Sequence, residues 1–333
     1  MDRLLRDVDL VGTAGDLSAV DVTAVECDSR AVTPGALFCC VAGRLHDGHD
    51  FAGAAAEAGA AGLLTERVLP VSVAQGVVEP GAMRAVMAEV ACAFHRDPSS
   101  SLRVVGVTGT NGKTTVSHLV AAIFEAHGEP CRVIGTLSGA RTTPESPVLQ
   151  RLLADARDSG QAAVSMEVSS HALVEHRVDA VHFAAGVFTN LGHDHLDYHQ
   201  TMERYFEAKA TLFEPGRCAL GVVNADDPWG ARLLERGSVP MVAFRSSELS
   251  DVELSPRGSS FTWRGRRVAL ALPGAFHVTN ALAAATTAAA LGVPESTVVD
   301  GLESAAPVPG RFEVVPGDAP FTVVVDYAHT PDA

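Results

Sequence analysis

The segment Gly109-Thr110-Asn111-Gly112-Lys113-Thr114-Thr115 constrains this chain more than any other. An apolar run, Leu102 to Val107, leads into it, and Val116, Leu119, Val120, Ile123 and Phe124 follow. Those five positions have the i, i+3, i+4, i+7, i+8 spacing of a helix that buries one face, and Gly128 ends it. A buried strand, a glycine turn and an amphipathic helix in that order aim successive backbone N–H groups at one point, where phosphates bind. Lys113 adds positive charge, and a threonine hydroxyl there is a natural magnesium ligand. The general pattern GxxxxGK[ST] is met imperfectly, because Val107 stands where its first glycine belongs. An incidental glycine turn is the alternative reading, and the flanking strand and helix argue against it.

Further apolar runs lie at Cys131 to Ile134, Ala162 to Val168, Phe183 to Phe188 and Ala219 to Val223. Strands apolar on both faces and separated by helical segments indicate an α/β fold, here a phosphate-loop domain with a mostly parallel sheet. At 333 residues the chain exceeds one ordinary core. Its first block carries short apolar runs (Ala36 to Ala42, Gly62 to Leu64, Val71 to Val73) and helical stretches at Phe51 to Ala61 and Met83 to His95. It reads as a smaller N-terminal α/β domain over residues 1–98, with Asp97-Pro98-Ser99-Ser100-Ser101 as the linker. The central domain is then 99–325, and 326–333 lead out of it. Within it, Val242 to Leu272 reads as an antiparallel extension, Thr279 to Ala290 as a helix stopped by Gly292, and Phe321 to Asp326 as the last strand.

Forty acidic residues against 25 Lys+Arg give a formal charge of −15, which speaks against nucleic-acid and anionic-membrane surfaces. No apolar run reaches the ~20 residues of a membrane span, and the opening MDRLLRDVDLVG lacks a signal peptide's apolar stretch. These features predict a soluble, cytoplasmic protein. The six cysteines have no CxxC spacing and read as reduced, buried thiols. Lys113 and Lys209 are the two lysines in the chain; every other basic side chain is Arg. Where either residue would serve as surface charge the chain uses Arg, so a retained lysine points to a need for an amine.

Three more segments carry chemistry. His193, Asp194, His195, Asp197 and His199 fall within seven residues, just past a strand end. That cluster reads as a polar capping loop, as a dinuclear metallohydrolase signature (broken by Tyr198), or as part of a magnesium–nucleotide site. Glu167 ends another apolar strand, where a carboxylate can ligate Mg²⁺, while Ser169 or Ser170 caps a helix. Lys209, if helical, has Tyr205, Phe206, Leu212 and Phe213 as its neighbours and no carboxylate to pair with. Either it snorkels to solvent, or burial lowers its pKa and leaves a neutral amine able to take up CO₂ as a carbamate.

Taken in order, the motifs resemble the Mur ligase family, MurE type. The resemblance rests on Asp28-Ser29-Arg30, Asp47-Gly48-His49-Asp50-Phe51, GVTGTNGKTT, Thr142-Thr143-Pro144, MEVSSHAL, FTNLGHDHLDYH, YFEAKATLF, Asn224-Ala225-Asp226-Asp227, Gly310-Arg311-Phe312-Glu313 and DYAHTPDA. It implies an ATP-dependent ligase of peptidoglycan precursor synthesis. Such an enzyme joins a diamino acid, meso-diaminopimelate or L-lysine, to UDP-MurNAc-L-Ala-D-Glu through an acyl phosphate. Position by position, it implies that Gly109, Thr110, Asn111, Gly112, Lys113, Thr114, Thr115, Asn280, Arg311 and Asp326 bind ATP. Ser29, Thr142, Thr143, Ser169, Glu175 and Arg177 would bind the UDP-linked substrate. Thr114, Glu167, His195 and Lys209 as its carbamate would hold Mg²⁺, and Lys113, Lys209, Glu167 and His195 would form the catalytic set.

The chain departs from the family pattern at three places. His277 stands where the motif GxFNxxN has its first Asn, the segment Gly139-Ala140-Arg141 is short, and Glu175 stands where some members have Gln. A carboxylate beside an anionic substrate repels it unless protonated or paired. The family's C-terminal amino-acid-binding domain is expected to be missing after Ala333, with DYAHTPDA as the hinge towards it. The chain is accordingly expected to be a truncated ligase. The alternatives are a short ligase completed by a partner chain and a non-catalytic protein that binds ATP and the UDP-linked precursor.

Overall fold

The computed structural model describes residues 1–315 and 321–328. The chain forms two compact units. The first comprises Met1–Pro98, Pro144–Asp155 and Glu175–Val181, and the second comprises Ser99–Thr143, Ala156–Val174 and His182 onward. The first unit therefore takes two segments from the stretch that the sequence assigned wholly to a central domain. The expected linker is an ordered 3-10 turn, Pro98–Ser101. Within the second unit, Ser99 is buried there and its hydroxyl accepts the His182 N–H at 3.1 Å.

In the first unit, strands β1 (Leu10–Ala14), β2 (Ala24–Glu26), β3 (Ala36–Cys39), β4 (Gly62–Thr65) and β5 (Ala74–Val78) form one sheet in the order β1-β5-β4-β3-β2. Only β1 runs antiparallel. The period-2 alternation of β3 sorts its side chains. Leu37 and Cys39 join the core under helix α2 (Met83–Phe94), while Phe38 joins the core under α1 (Ala52–Glu57). The expected helix Phe51 to Ala61 is this short α1 after a 3-10 turn, Gly48–Phe51. The run Val71 to Val73 precedes β5, which begins at Ala74.

The second unit is built on β6 (Arg103–Thr108), α3 (Lys113–Ala126), β7 (Cys131–Ile134), β8 (Ala163–Glu167), α5 (Ser170–Val174), β9 (Ala185–Phe188), α6 (Leu196–His199), α7 (Met202–Ala210), β10 (Gly221–Asn224), α8 (Pro228–Arg236) and β11 (Met241–Phe244). The remaining helix of this stretch, α4 (Ser146–Asp158), has residues in both units. The six strands pair in the order β11-β10-β9-β6-β8-β7, all parallel. The α/β class and the parallel sheet are as the sequence predicts. The five periodic residues of α3 are all fully buried. They pack with α9 (Ala275–Ala290) and α10 (Glu295–Ser304), each side chain contributing about 1.5–3 kcal/mol by leaving water. A Cβ at Gly301 would lie 2.5 Å from the Ile123 Cα, so this residue permits the close approach of α10 to α3.

The antiparallel extension needs correction. Its first strand, β11, is the parallel edge of the central sheet. The strands β12 (Leu249–Ser255), β13 (Gly258–Trp263) and β14 (Arg266–Leu270) form a separate antiparallel sheet, whose Phe261, Trp263, Val268 and Leu270 complete the core shared with α9 and α10. The last predicted strand is β16 (Val323–Val325), paired with β15 (Glu313–Val315) in a two-stranded ribbon outside the main sheet. His329 to Ala333 of the expected hinge lie outside the described residues. All six cysteines are free, with Cys39, Cys40 and Cys218 buried and the other three half-buried. No helix among the described residues is long and apolar enough to cross a membrane.

Candidate active site

The strand order reverses around β6. Its chain successors β7 and β8 lie to one side and β9 to the other, so a crevice opens beyond the carboxyl ends of β6, β8 and β9. The glycine loop leaves β6 into that crevice. Gly112 caps α3 with φ +85°, a left-handed conformation that favours glycine. A Cβ there would also come within 2.4 Å of Asn280 Oδ1 on α9. The loop is tied to the segment after β9. Thr189 Oγ1 donates to the Asn111 carbonyl at 2.6 Å, and the Asn111 N–H donates to Asn190 Oδ1 at 2.9 Å. A cavity of about 430 Å³ opens over the loop.

Both lysines of the chain converge on this loop. Lys113 Nζ donates to the carbonyls of Gly109 at 3.0 Å and Thr110 at 2.8 Å. Lys209 Nζ, reaching in from α7, donates to the same Gly109 carbonyl at 2.9 Å. Lys209 is 1% exposed, which excludes snorkelling. Burial, reinforced by the charge of Lys113, pushes its pKa well below the usual lysine value, and Asp194 opposes the shift. Burial also lowers the pKa of Lys113, against the pull of Glu167 and Asp194.

Thr114 and Glu167 meet at the floor of the cavity. Thr114 Oγ1 donates to Glu167 Oε2 at 3.0 Å, while the Thr136 N–H donates to Glu167 Oε1 at 2.8 Å. Arg311 Nη2 donates to Thr114 Oγ1 at 2.9 Å. His195 lines the same cavity from a left-handed backbone position, φ +52°. Burial lowers its pKa and keeps a nitrogen lone pair free of the proton, against the pull of Asp194. Among the described residues no three His, Cys, Asp or Glu side chains gather into a cage for a metal ion. The dinuclear reading of His193, His195 and Asp197 is therefore not borne out. A hydroxyl, one carboxylate and one imidazole instead fit Mg²⁺, which takes few protein ligands and shares the rest with phosphate and water.

His277, Asn280, Arg311, Asp326 and Tyr327 also line the cavity. Asp326 Oδ1 accepts the Phe312 N–H at 3.1 Å, and the Arg311 guanidinium lies 4.9 Å from the centre of the Tyr327 ring. His277 is 1% exposed, and burial pushes its pKa down to about 4, so it is a neutral imidazole.

Thr142 and Ser169 also line this cavity, and the Ser169 hydroxyl accepts the Ala172 N–H at the start of α5. Thr143 is buried beneath them, donating to the Glu167 carbonyl at 2.8 Å and accepting the Ser169 N–H at 3.0 Å. Ser29, Glu175 and Arg177 belong to the first unit. Ser29 opens a 3-10 turn capped by Asp28. Arg177 lies 2.5 Å from Glu175 and 3.1 Å from Glu145, and Arg84 lies 3.7 Å from Glu175 and 3.3 Å from Glu145. The carboxylate at 175 is thus paired. Sequence reasoning overlooked Asp194 and Tyr205 as cavity residues, although Asp194 lies in the singled-out histidine cluster and Tyr205 one helical turn before Lys209.

Comparison with known proteins decides the family. The description "Mur ligase middle domain" matches residues 107–288, and "Mur ligase family, catalytic domain" matches 21–95. The chain belongs to the Mur ligase family. This Mur ligase is 43% identical to the UDP-N-acetylmuramoyl-L-alanyl-D-glutamate–2,6-diaminopimelate ligase of Geobacillus thermodenitrificans, over 94% of this chain and 69% of that protein. It is 42% identical to the ligase of the same name from Streptomyces coelicolor, over 98% and 69%. A solved structure of a ligase with that name superposes with a TM-score of 0.76 at 30% identity, covering 93% of this chain and 68% of the other. The MurF structure from Acinetobacter baumannii, at 23% identity and a TM-score of 0.78 over 99% and 73%, shares the fold of the Mur ligase chain.

Proposed function

We propose that this Mur ligase works in the cytoplasm and joins meso-diaminopimelate to UDP-MurNAc-L-Ala-D-Glu at the expense of ATP. One observation carries the reading. The phosphate loop, a buried amine with a depressed pKa and a hydroxyl–carboxylate pair share one cavity, in a chain 43% identical to a ligase with that name. In this reaction a substrate carboxylate oxygen attacks the γ-phosphorus of ATP, and ADP leaves. The amine then attacks the resulting acyl phosphate, expelling phosphate and losing a proton as the amide forms.

Both reactants are anions, so the chain must offset their repulsion and align them. Lys113 and the N–H groups at the start of α3 would hold the phosphates, and Asn280, Arg311 and Asp326 the rest of the nucleotide. Thr114, Glu167 and His195 would hold Mg²⁺, which when bound neutralises charge on the transferring phosphoryl group. The neutral Lys209 amine would add CO₂ and lose a proton, giving a carbamate whose oxygens complete that ligand set. Thr142, Thr143 and Ser169 of the second unit would contact the UDP-linked dipeptide.

The test is phosphate release by the purified chain given ATP, Mg²⁺ and UDP-MurNAc-L-Ala-D-Glu, with and without meso-diaminopimelate or L-lysine. A rise in melting temperature with ATP and UDP-MurNAc-L-Ala-D-Glu is expected of the chain, and release stimulated by meso-diaminopimelate is expected where it also completes the ligation. The absence of both phosphate release and a ligand-induced rise in melting temperature would contradict the reading.

A further inference from the structure

Tyr205 sits on α7 one turn before Lys209, is 1% exposed, and still touches three parts of the site. Its hydroxyl lies 3.2 Å from Thr110 Oγ1. That oxygen accepts the Gly192 N–H at 2.9 Å and lies 3.3 Å from the Gly192 carbonyl, and either hydroxyl of the Tyr205–Thr110 pair can donate to the other. The hydroxyl thereby joins α7 to the phosphate loop and to the segment after β9. The ring does separate work. Its centre lies 4.6 Å from Lys209 Nζ, it stacks on His199 at 4.9 Å and 26°, and it meets the edge of His195 at 6.0 Å and 90°. His199 is fixed in turn by its Nε2, 2.9 Å from Ser170 Oγ.

A purely space-filling residue would need no hydroxyl here, because a buried hydroxyl costs stability unless it is bonded. Nor would space-filling require one ring to border both an amine and an imidazole proposed to serve the metal. We propose that Tyr205 is a positioning residue that sets the spacing between the phosphate loop and the two groups, Lys209 and His195, that would hold magnesium. Its hydroxyl holds Thr110, and its ring holds Lys209 and His195. The inference rests on the nucleotide–magnesium reading of the cavity.

Two substitutions separate the two contacts. Tyr205→Phe keeps the ring and loses the hydroxyl; Tyr205→Met fills similar space without a ring face. Each full-length variant and the wild type are titrated with ATP, with and without Mg²⁺, and given ¹³C-bicarbonate to detect a lysine carbamate by NMR. For Tyr205→Phe we expect ATP binding about 2- to 10-fold weaker, the range that one net hydrogen bond spans. Its enhancement by Mg²⁺ and its carbamate signal should match wild type. For Tyr205→Met the Mg²⁺ enhancement and the carbamate signal should both fall, with phenylalanine as the rescuing variant. Wild-type behaviour in both variants overturns the inference, as does a loss in Tyr205→Met that is equal with and without Mg²⁺. If Tyr205→Met does not fold, Tyr205→Phe decides alone: unchanged ATP affinity overturns the inference. A wild type that binds no ATP with Mg²⁺ contradicts the proposed function instead, so the two failures are distinguishable.

Discussion

In the first unit, Arg177 and Arg84 share Glu145 and Glu175, while in the second Lys113 and Lys209 share one backbone carbonyl, that of Gly109. Two cations and two carboxylates neutralise one another. Two amines on a carbonyl form no ion pair with it, and both line a cavity that the first residues of α3 also line. A closed network holds shape, and its members are costly to remove singly. An open pair of amines is costly to keep in the fold and has its value when an anion arrives.

The largest expected effect breaks the closed network. Arg177→Met leaves Glu145 and Glu175 short of one buried partner and should lower unfolding free energy by about 3–5 kcal/mol, read by urea titration. A change within experimental error would show the network to be dispensable. Next comes pH. The native pKa of His277 is about 4 against about 6.5 in an unfolded chain, so the unfolded state takes up the proton first. The stability linked to this group is intact above pH 6.5, falls as pH drops from 6.5 towards 4, and levels off below that. At most about 3 kcal/mol is lost. His199, also pushed down to about 4 by burial, adds a loss of the same sign. Urea midpoints at pH 7 and pH 4.5 should therefore differ, and His277→Asn should narrow the difference; an unchanged gap would count against it. The smallest effect is the sharpest contrast. Lys113→Met removes a half-buried cation that hydrogen-bonds backbone carbonyls, so stability should move by no more than about 1 kcal/mol while ATP binding is lost. A large destabilisation would place Lys113 with Arg177, as part of the scaffold.

What could be read from the sequence followed distance along the chain. The β6–loop–α3 unit is local, since its periodic apolar positions and its glycines settle it within about 25 residues. The apolar neighbours of Lys209 were equally legible from i±3 and i±4 spacing, but they left snorkelling and burial as alternatives that only the fold decides. Pairings between distant segments left no such mark. Arg84 and Glu175 stand 91 positions apart (175 − 84), and nothing in either neighbourhood announces the other. Likewise β11 has the composition of a strand that could extend either sheet, and only its pairing with β10 decides. Segments 144–155 and 175–181 join the first unit through contacts of this long-range kind. Tyr205 was seen as an apolar neighbour of Lys209, but its hydroxyl's partner, Thr110, lies 95 residues away.

The most direct measurement uses the fact that Lys113 and Lys209 carry the only side-chain amines in the chain. Amine-directed labelling with acetic anhydride, followed by mass spectrometry with and without ATP and Mg²⁺, reports on the cavity alone, with the Met1 amine as an internal control. The account predicts that ATP with Mg²⁺ protects Lys113 and leaves the labelling of Met1 unchanged. Equal labelling of Lys113 with and without the nucleotide would contradict it.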